Sequence, residues 1–344
     1  LTRDAMKGKA QTVLGLLDPA ELGSALFHEH LIWDLTPPAQ RGADPDGGPD
    51  PYRWWNLANW VERDPRNATQ RDVGVATRAV AEVVEHGGKC IVELTIGGIR
   101  PDPNGLAQVA RATGAHIVMG CGHYVHDYQD PANAERSVDD FAREMVDAVQ
   151  LGAWGTEVRA GILGEIGCQW PWTDLEKRVL AAACLAQQET GAALHIHPAR
   201  HQDHPWMLVE FLRTHGADLT RVIIDHMDRT IFDDDRLFRL AESGVVMEWD
   251  LFGQEGTYYG LADIDMPNDG TRIRDIGKVF ARGHGDQVVI SHDICHVIRL
   301  TEFGGHGYAH IYKKALPHML KRGFSADDLD RIMVRNPRRL LTFV

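Results

Sequence analysis

The sequence predicts an α/β protein built as a closed (β/α)8 barrel, a TIM barrel. Three observations lead there. Short apolar runs alternate with amphipathic stretches of helical length along most of the chain. Strands that are apolar on both faces and separated by helices belong to a parallel sheet. The runs number eight, which is the count that closes a barrel. An open doubly wound sheet is the competitor, but no Gly-x-Gly-x-x-Gly follows an early strand, and ligand-type residues sit at many strand ends rather than at one switch point.

The first strand is read around Leu26 and Phe27, after Gly23, and runs into His28, Glu29, His30, Leu31 and Ile32. Side chains alternate along a strand, so His28 and His30 share one face and Glu29 takes the other. Next comes an irregular insertion at about 37–68, dense in Pro, Gly, Asp and Trp (Trp54, Trp55, Trp60). A segment of that length without regular structure reads as a lid or as a contact between subunits of a homodimer. Over 70–86, Val73, Val80, Val83 and Val84 recur at helical spacing, and Gly87 and Gly88 stop the helix. Further strands are expected at 90–96, 116–122, 160–166, 193–197, 222–226, 245–251 and 288–294. Helices are expected near 106–113, 138–151, 174–190, 205–215, 234–243 and 272–281. The 344 residues are thus read as a single barrel domain carrying one insertion.

Composition narrows the function. A hydrophobic fraction of 44% supplies ample core, and no apolar run reaches the length of a membrane span. The net charge of −13 argues against a nucleic-acid partner, since neutralising phosphates requires a basic surface. Five cysteines, odd in number and without a CxxC pair, suggest a reducing, cytoplasmic setting. Leu1 to Lys9 hold no apolar run, so no secretion signal is expected. Eighteen histidines are the unusual count, and they direct attention to metal.

Active sites of such barrels lie at the C-terminal strand ends. The fourth strand ends on Glu165, a carboxylate among apolar and glycine residues that needs a cation or a proton if buried. The fifth ends on His195, His197 and Pro198. The sixth ends on Asp225, His226, Asp228 and Arg229, and the eighth on His292 and Asp293. Five strand ends of eight carry His, Glu or Asp. Counting ligands gives His28, His30 and Asp293 for one ion and His197 and His226 for a second, with Glu165 placed to bridge them. Imidazole and carboxylate without thiolate suit zinc first, and also manganese, cobalt or iron. Two such ions about 3.5 Å apart can share a hydroxide.

This set resembles the phosphotriesterase branch of the amidohydrolase superfamily, and within it the phosphotriesterase-related (resiniferatoxin-binding) group. The matching stretches are 11–15, 28–31, 161–168, 226–230, 250–253, 263–267, 304–308 and Asn336-Pro337, so the likeness spans nearly the whole chain. Many members bridge the metals with a carbamylated lysine, whereas Glu165 matches a subset that uses glutamate. The resemblance implies a barrel, a binuclear zinc site, and hydrolysis of an ester, lactone or amide by a metal-bridging hydroxide, with Asp293 moving the proton and His226 or Asp228 helping to relay it. Animal members act on N-acetyltaurine and similar N-acyl amino acids, while bacterial relatives include lactonases. A small anionic amide is therefore the first expectation. A lactone or phosphoester is the alternative, and a non-catalytic binding protein with a structural metal is the reading from another class. Related lactonases place a tyrosine beside the metals, which points to Tyr124. Tyr258, Arg272 and Arg274 after the seventh strand, Arg229 after the sixth, and His306 in a mobile loop after the eighth are the expected substrate contacts. Tyr259 and Arg299 lie nearby, and an arginine there can fork onto a carboxylate, phosphate or sulfonate.

Overall fold

The computed structural model describes residues 1–256 and 258–344. Eight parallel strands form the barrel: β1 Ala25–Glu29, β2 Cys90–Glu93, β3 His116–Met119, β4 Leu163–Gly167, β5 Leu194–His197, β6 Val222–Ile224, β7 Val246–Trp249 and β8 Val288–Ile290. The ladders run β1–β2–β3 and β4–β5–β6–β7–β8. Backbone bonds close the two seams. Gly161 N–H donates to Met119 O (2.9 Å) and Gly167 N–H to His123 O (3.1 Å) between β3 and β4, and Asp293 N–H donates to His28 O (3.1 Å) between β8 and β1.

The helices are α1 Val73–Glu85, α2 Pro103–Thr113, α3 Val138–Gln150, α4 Asp174–Thr190, α5 His204–Thr214, α6 Asp234–Glu242, α7 Asp269–Ala281 and, after a π turn at Ile311–Ala315, α8 Leu316–Lys321. Local chemistry sets their ends. Ser137 with Asp140, and Thr173 with Glu176, form capping boxes at the starts of α3 and α4. Gly191 ends α4 in the left-handed conformation, φ 73°. Among the described residues no helix is long and apolar enough to cross a membrane.

Two apolar layers follow from strands buried on both faces. An inner one, including Phe27, Val92, Leu94, Val118, Ile223, Val246 and Val289, fills the barrel interior. An outer one packs strands against helices. The lower end is sealed by elements that the sequence reading leaves unassigned. A hairpin of Ala10–Thr12 and Gly15–Leu17 lies across it, with Val13 N–H donating to Ile117 O (2.8 Å). There Arg221 spends its guanidinium on the carbonyls of Arg339, Leu340 and Thr342.

Strands 2, 3, 6, 7 and 8 are shorter at their C-terminal ends than the apolar runs suggest. His226 (φ 54°) and Asp293 (φ 48°) adopt left-handed backbone, which leaves the ladder and turns the chain. The runs continue as buried chain joined by single backbone bonds, such as Asp225 N–H to Ile196 O (3.1 Å) and Ser291 N–H to Trp249 O (3.1 Å), rather than by a regular ladder. The insertion is clamped at its base by the antiparallel pair Trp33–Asp34 and Thr69–Gln70. Within it lie short helical turns, Pro38–Gln40, Pro51–Arg53, Trp54–Ala58 and Pro65–Ala68. It leans on the loop after β8 through Trp54, whose indole N–H donates to Ile298 O (3.1 Å).

Candidate metal centre

The six ligand-type residues read from the sequence converge at the C-terminal mouth of the barrel. Glu165, at the end of β4, is the centre, and its two oxygens face different groups. Oε1 lies 3.3 Å from His28 Nε2 and 3.3 Å from His30 Nε2. Asp293 Oδ1 completes that side, 3.1 Å from His30 Nε2 and 3.7 Å from His28 Nε2. Oε2 lies 2.7 Å from His197 Nδ1 and 4.0 Å from His226 Nε2, and those two ring nitrogens are 2.9 Å apart. The cluster is buried, with Asp293 its most exposed member at 14% of its side chain.

A layer of carboxylates behind the rings sets their orientation. Asp250, just past β7, places Oδ2 2.8 Å from His28 Nδ1 and Oδ1 2.9 Å from His226 Nδ1, so one side chain holds a ring from each side of Glu165. That fixes the Nδ1–H tautomers and turns both Nε2 atoms toward Glu165. Glu29 points away from its neighbours, as strand alternation requires. It accepts from His292 N–H (3.0 Å), Ser291 Oγ (2.8 Å) and Ile294 N–H (3.1 Å), tying β1 to the chain that carries Asp293. His30 Nδ1 meets Thr95 Oγ1 at 3.0 Å. Asp225 lies deeper and fully buried. Oδ2 is 3.4 Å from both His28 Nδ1 and His195 Nδ1, and neither carboxylate oxygen has a hydrogen-bond partner.

The electrostatics differ across the cluster. Burial alone would lower His28 and His30, yet the carboxylates of Glu165 and Asp293 raise both, His30 to about 9. Burial lowers His197 to about 4 against the pull of Glu165, and burial with the Arg229 charge holds His226 well below the ordinary histidine range. Burial would raise Glu165, but His28 and His197 hold it well below the usual carboxylate range. One side is thus an acidic pocket that calls for positive charge, and the other presents two imidazoles kept neutral, with His226 Nε2 turned toward Glu165. His28 Nε2 is buried without a well-aligned hydrogen-bond partner. This donor set fits divalent cations, and the triads His28–His30–Glu165 and, with Asp225, Glu165–His197–His226 have ligand atoms close enough to share one.

The expected substrate contacts divide. Tyr124 stands beside the cluster, its ring edge-on to His197 with centroids 5.1 Å apart. Burial, then Glu165, raises its phenol well above the usual range, which keeps it protonated. Arg229 does not reach the mouth. It is buried beneath His197 and donates to Nε2 (3.1 Å) and to Pro198 O (3.2 Å). Arg272 is also a buried strut, bonded to Asp228 and Asp269 and to Gln254 O (2.9 Å). Two carboxylates hold Arg272 away from the cavity, and Arg229 spends its Nη2 on His197 and Pro198. Asp228 is no relay either, because it accepts from Arg272 and from Asp250 N–H (2.9 Å), away from Asp293. Arg274 is exposed on α7 with only Thr271 Oγ1 at 3.1 Å, and Tyr258 stands on the rim, 49% exposed. The loop expected to be mobile is pinned. Tyr308 is buried with its hydroxyl donating to His30 O, and Gly307 N–H donates to Arg299 O (2.8 Å). His306 packs on His292 with ring centroids 5.6 Å apart.

Asp250 is the residue the sequence reading missed, although its signal was the same as the others: a lone carboxylate closing an apolar run. Arg200 is a second. It donates from Nε (3.1 Å) and Nη2 (3.0 Å) to the Tyr259 hydroxyl at the mouth.

Comparison with known proteins agrees with this architecture. The profile of the phosphotriesterase family matches residues 8–341. A protein named N-acetyltaurine hydrolase from Salmo salar is 38% identical over 349 residues, covering 98% of this chain and 99% of its own. A phosphotriesterase-related protein from Nematostella vectensis is 38% identical, covering 98% of this chain and 99% of its own. The crystal structure of a resiniferatoxin-binding protein from Rhodobacter sphaeroides superposes with a TM-score of 0.91 at 31% identity, covering 97% of this chain and 95% of that one. The match runs through the whole barrel and its mouth, and the chain belongs to the phosphotriesterase family of hydrolases.

Proposed function

We propose that this hydrolase uses a binuclear metal centre to cleave the acyl bond of a small anionic amide, of the N-acyl amino acid or N-acetyltaurine type. The observation that carries the reading is the division of Glu165, with one oxygen toward His28 and His30, the two rings that Asp293 also meets, and the other toward His197 and His226. A glutamate so placed would serve an ion on each side. The N-acetyltaurine hydrolases at similar identity across the full chain support the substrate class.

His28, His30, Asp293 and Glu165 would hold one ion, and His197, His226 and Glu165 the other, with zinc favoured by the preponderance of imidazole. Bound cations supply Lewis acidity toward the carbonyl oxygen and make a water acidic enough to attack near neutral pH. Asp293, the most exposed member, accepts the proton of the attacking water and returns it to the leaving nitrogen, a general acid/base role. Tyr124 keeps its proton and orients the substrate carbonyl beside His197. Asp250 and Glu29 keep the rings and Asp293 in register during turnover.

The test is a hydrolysis screen of N-acyl amino acids, N-acetyltaurine, lactones and phosphate esters with zinc- and manganese-loaded protein. N-acyl anions should show the highest kcat/KM. Asp293→Asn should keep its metal content and lose kcat by about 10²–10⁴-fold, the usual worth of a positioned acid/base group. Unchanged turnover in that variant sinks the proton role, and a screen led by phosphate esters sinks the substrate class.

A further inference from the structure

Two partly buried arginines at the mouth differ from Arg272 and Arg221 in what meets their guanidiniums. Arg272 is met by two carboxylates, and Arg221 by four main-chain carbonyls. Arg299, on the single turn Val297–Arg299 after β8, has neither. Its Nε is buried without a hydrogen-bond partner. Among the described residues no carboxylate oxygen lies within 4.0 Å of its guanidinium, or of that of Arg200. Arg200 spends two N–H groups on one neutral acceptor, the Tyr259 hydroxyl. An unpaired cation in a partly dry site is costly, and proteins retain one where a ligand brings the opposite charge.

Their placement fits that use. Arg200 follows His197 by three residues and Arg299 follows Asp293 by six, so each sits on the chain that leaves one half of the cluster. Tyr259, in the loop after β7, meets the first of them: Arg200 lies over its ring at 5.4 Å. The insertion supplies a cover. The Trp60 ring stands edge-on to Tyr259 (5.7 Å) and to His296 (5.3 Å), which walls this corner from bulk water and strengthens any charge pairing inside it.

We infer that Arg299 and Arg200, on loops that Trp60 joins through His296 and Tyr259, form the receptor for the anionic end of the substrate, a sulfonate or carboxylate on a short chain whose acyl bond then lies over Glu165. The inference rests on the proposed reading of an anionic acyl amide and adds the residues that select it. The guanidiniums bind and orient the anion and take no part in bond making or breaking.

The metal-loaded enzyme is assayed with N-acetyltaurine, N-acetyl-β-alanine and the neutral N-acetylethanolamine, as wild type, Arg299→Gln, Arg299→Lys and Arg200→Gln. The ratio of kcat/KM for anionic over neutral substrate should fall by about 10- to 100-fold in each Gln variant, mostly through KM, which is what one or two charge-assisted hydrogen bonds carry. Arg299→Lys should recover part of it. Calorimetry of N-acetyltaurine binding to the Asp293→Asn background should show the same loss without relying on turnover. Because the Gln variant removes an uncompensated charge, its Tm should hold or rise, whereas a structural strut would lose stability. A wild-type ratio and affinity retained in both Gln variants overturns the receptor and leaves the amide reading standing. Wild-type enzyme that prefers the neutral amide, or that neither binds nor cleaves either anion, overturns the reading and the receptor with it. The sulfonate and carboxylate arms report which anion the corner was shaped for.

Discussion

Asp250→Asn is a one-atom test of how the cluster is held. The carboxylate gives Oδ2 to His28 Nδ1 at 2.8 Å, and Oδ1 to His226 Nδ1 at 2.9 Å and to His226 N–H at 3.1 Å. Asparagine offers one acceptor oxygen and an NH2. The NH2 would face an Nδ1–H, donor against donor, so only one ring keeps its acceptor. The two rings belong to different sides of Glu165, so the loss falls on one proposed ion and spares the other. Removing such an outer partner costs about 10–100-fold in metal affinity, equivalent to about 1.4–2.8 kcal/mol. Metal content measured by elemental analysis after dialysis against graded chelator should show one of two equivalents leaving at correspondingly weaker chelation. Both equivalents leaving together at wild-type chelator strength would refute the reasoning.

Other outcomes follow from the same geometry. Glu165→Ala should lose at least one metal per chain by elemental analysis, and two fully occupied ions in that variant would show that the bridge is wrongly assigned. Asp269 gives an acid signature: burial would raise it, but His310 and Arg272 overcome this and hold it at about 2, below the ordinary aspartate value of 3.8. A depressed folded value stabilises above the unfolded one and is lost as pH falls from about 4 toward 2, worth about 2 kcal/mol in all. Asp269→Asn should flatten that limb of a denaturant-by-pH series, and an unchanged limb would remove Asp269 from the account.

The ligand residues were legible because each interrupts an apolar strand run with a group that cannot be buried alone. Asp250 met the same test in the run 245–251 and needed only the rule applied to the seventh strand. The arginines were not legible. Whether Arg272 or Arg229 reaches a cavity depends on what lies closer. Asp228 is 44 residues from Arg272, and the nitrogen of His197 that Arg229 meets is 32 residues away. Local sequence carries no record of either. The partnerless state of Arg299 is likewise a property of the assembled mouth. The short hairpin at the lower end was missed for another reason. Three-residue strands are too brief for periodicity to register, and only the left-handed turn that Gly15 permits (φ 129°) marks it.

The backbone ladders carry His28, Glu165 and His197 but not His30, His226 or Asp293, so something else must hold those last three in place. Here it is carboxylates that join strands remote in sequence: Glu29 links β1 to the end of β8, Asp250 links the end of β7 to β1 and β6, and Glu165 faces residues of β1, β5, β6 and β8. Hydrogen bonds to charged groups are strong, but most of that strength offsets the cost of removing the charges from water. Such a layer therefore contributes little net stability and much positional definition. The apolar interior beneath it and the sealed lower end supply the stability. The division leaves the loops above, with Arg200, Tyr259, Arg299 and Trp60, free to set the shape and charge of the substrate corner without disturbing the rings.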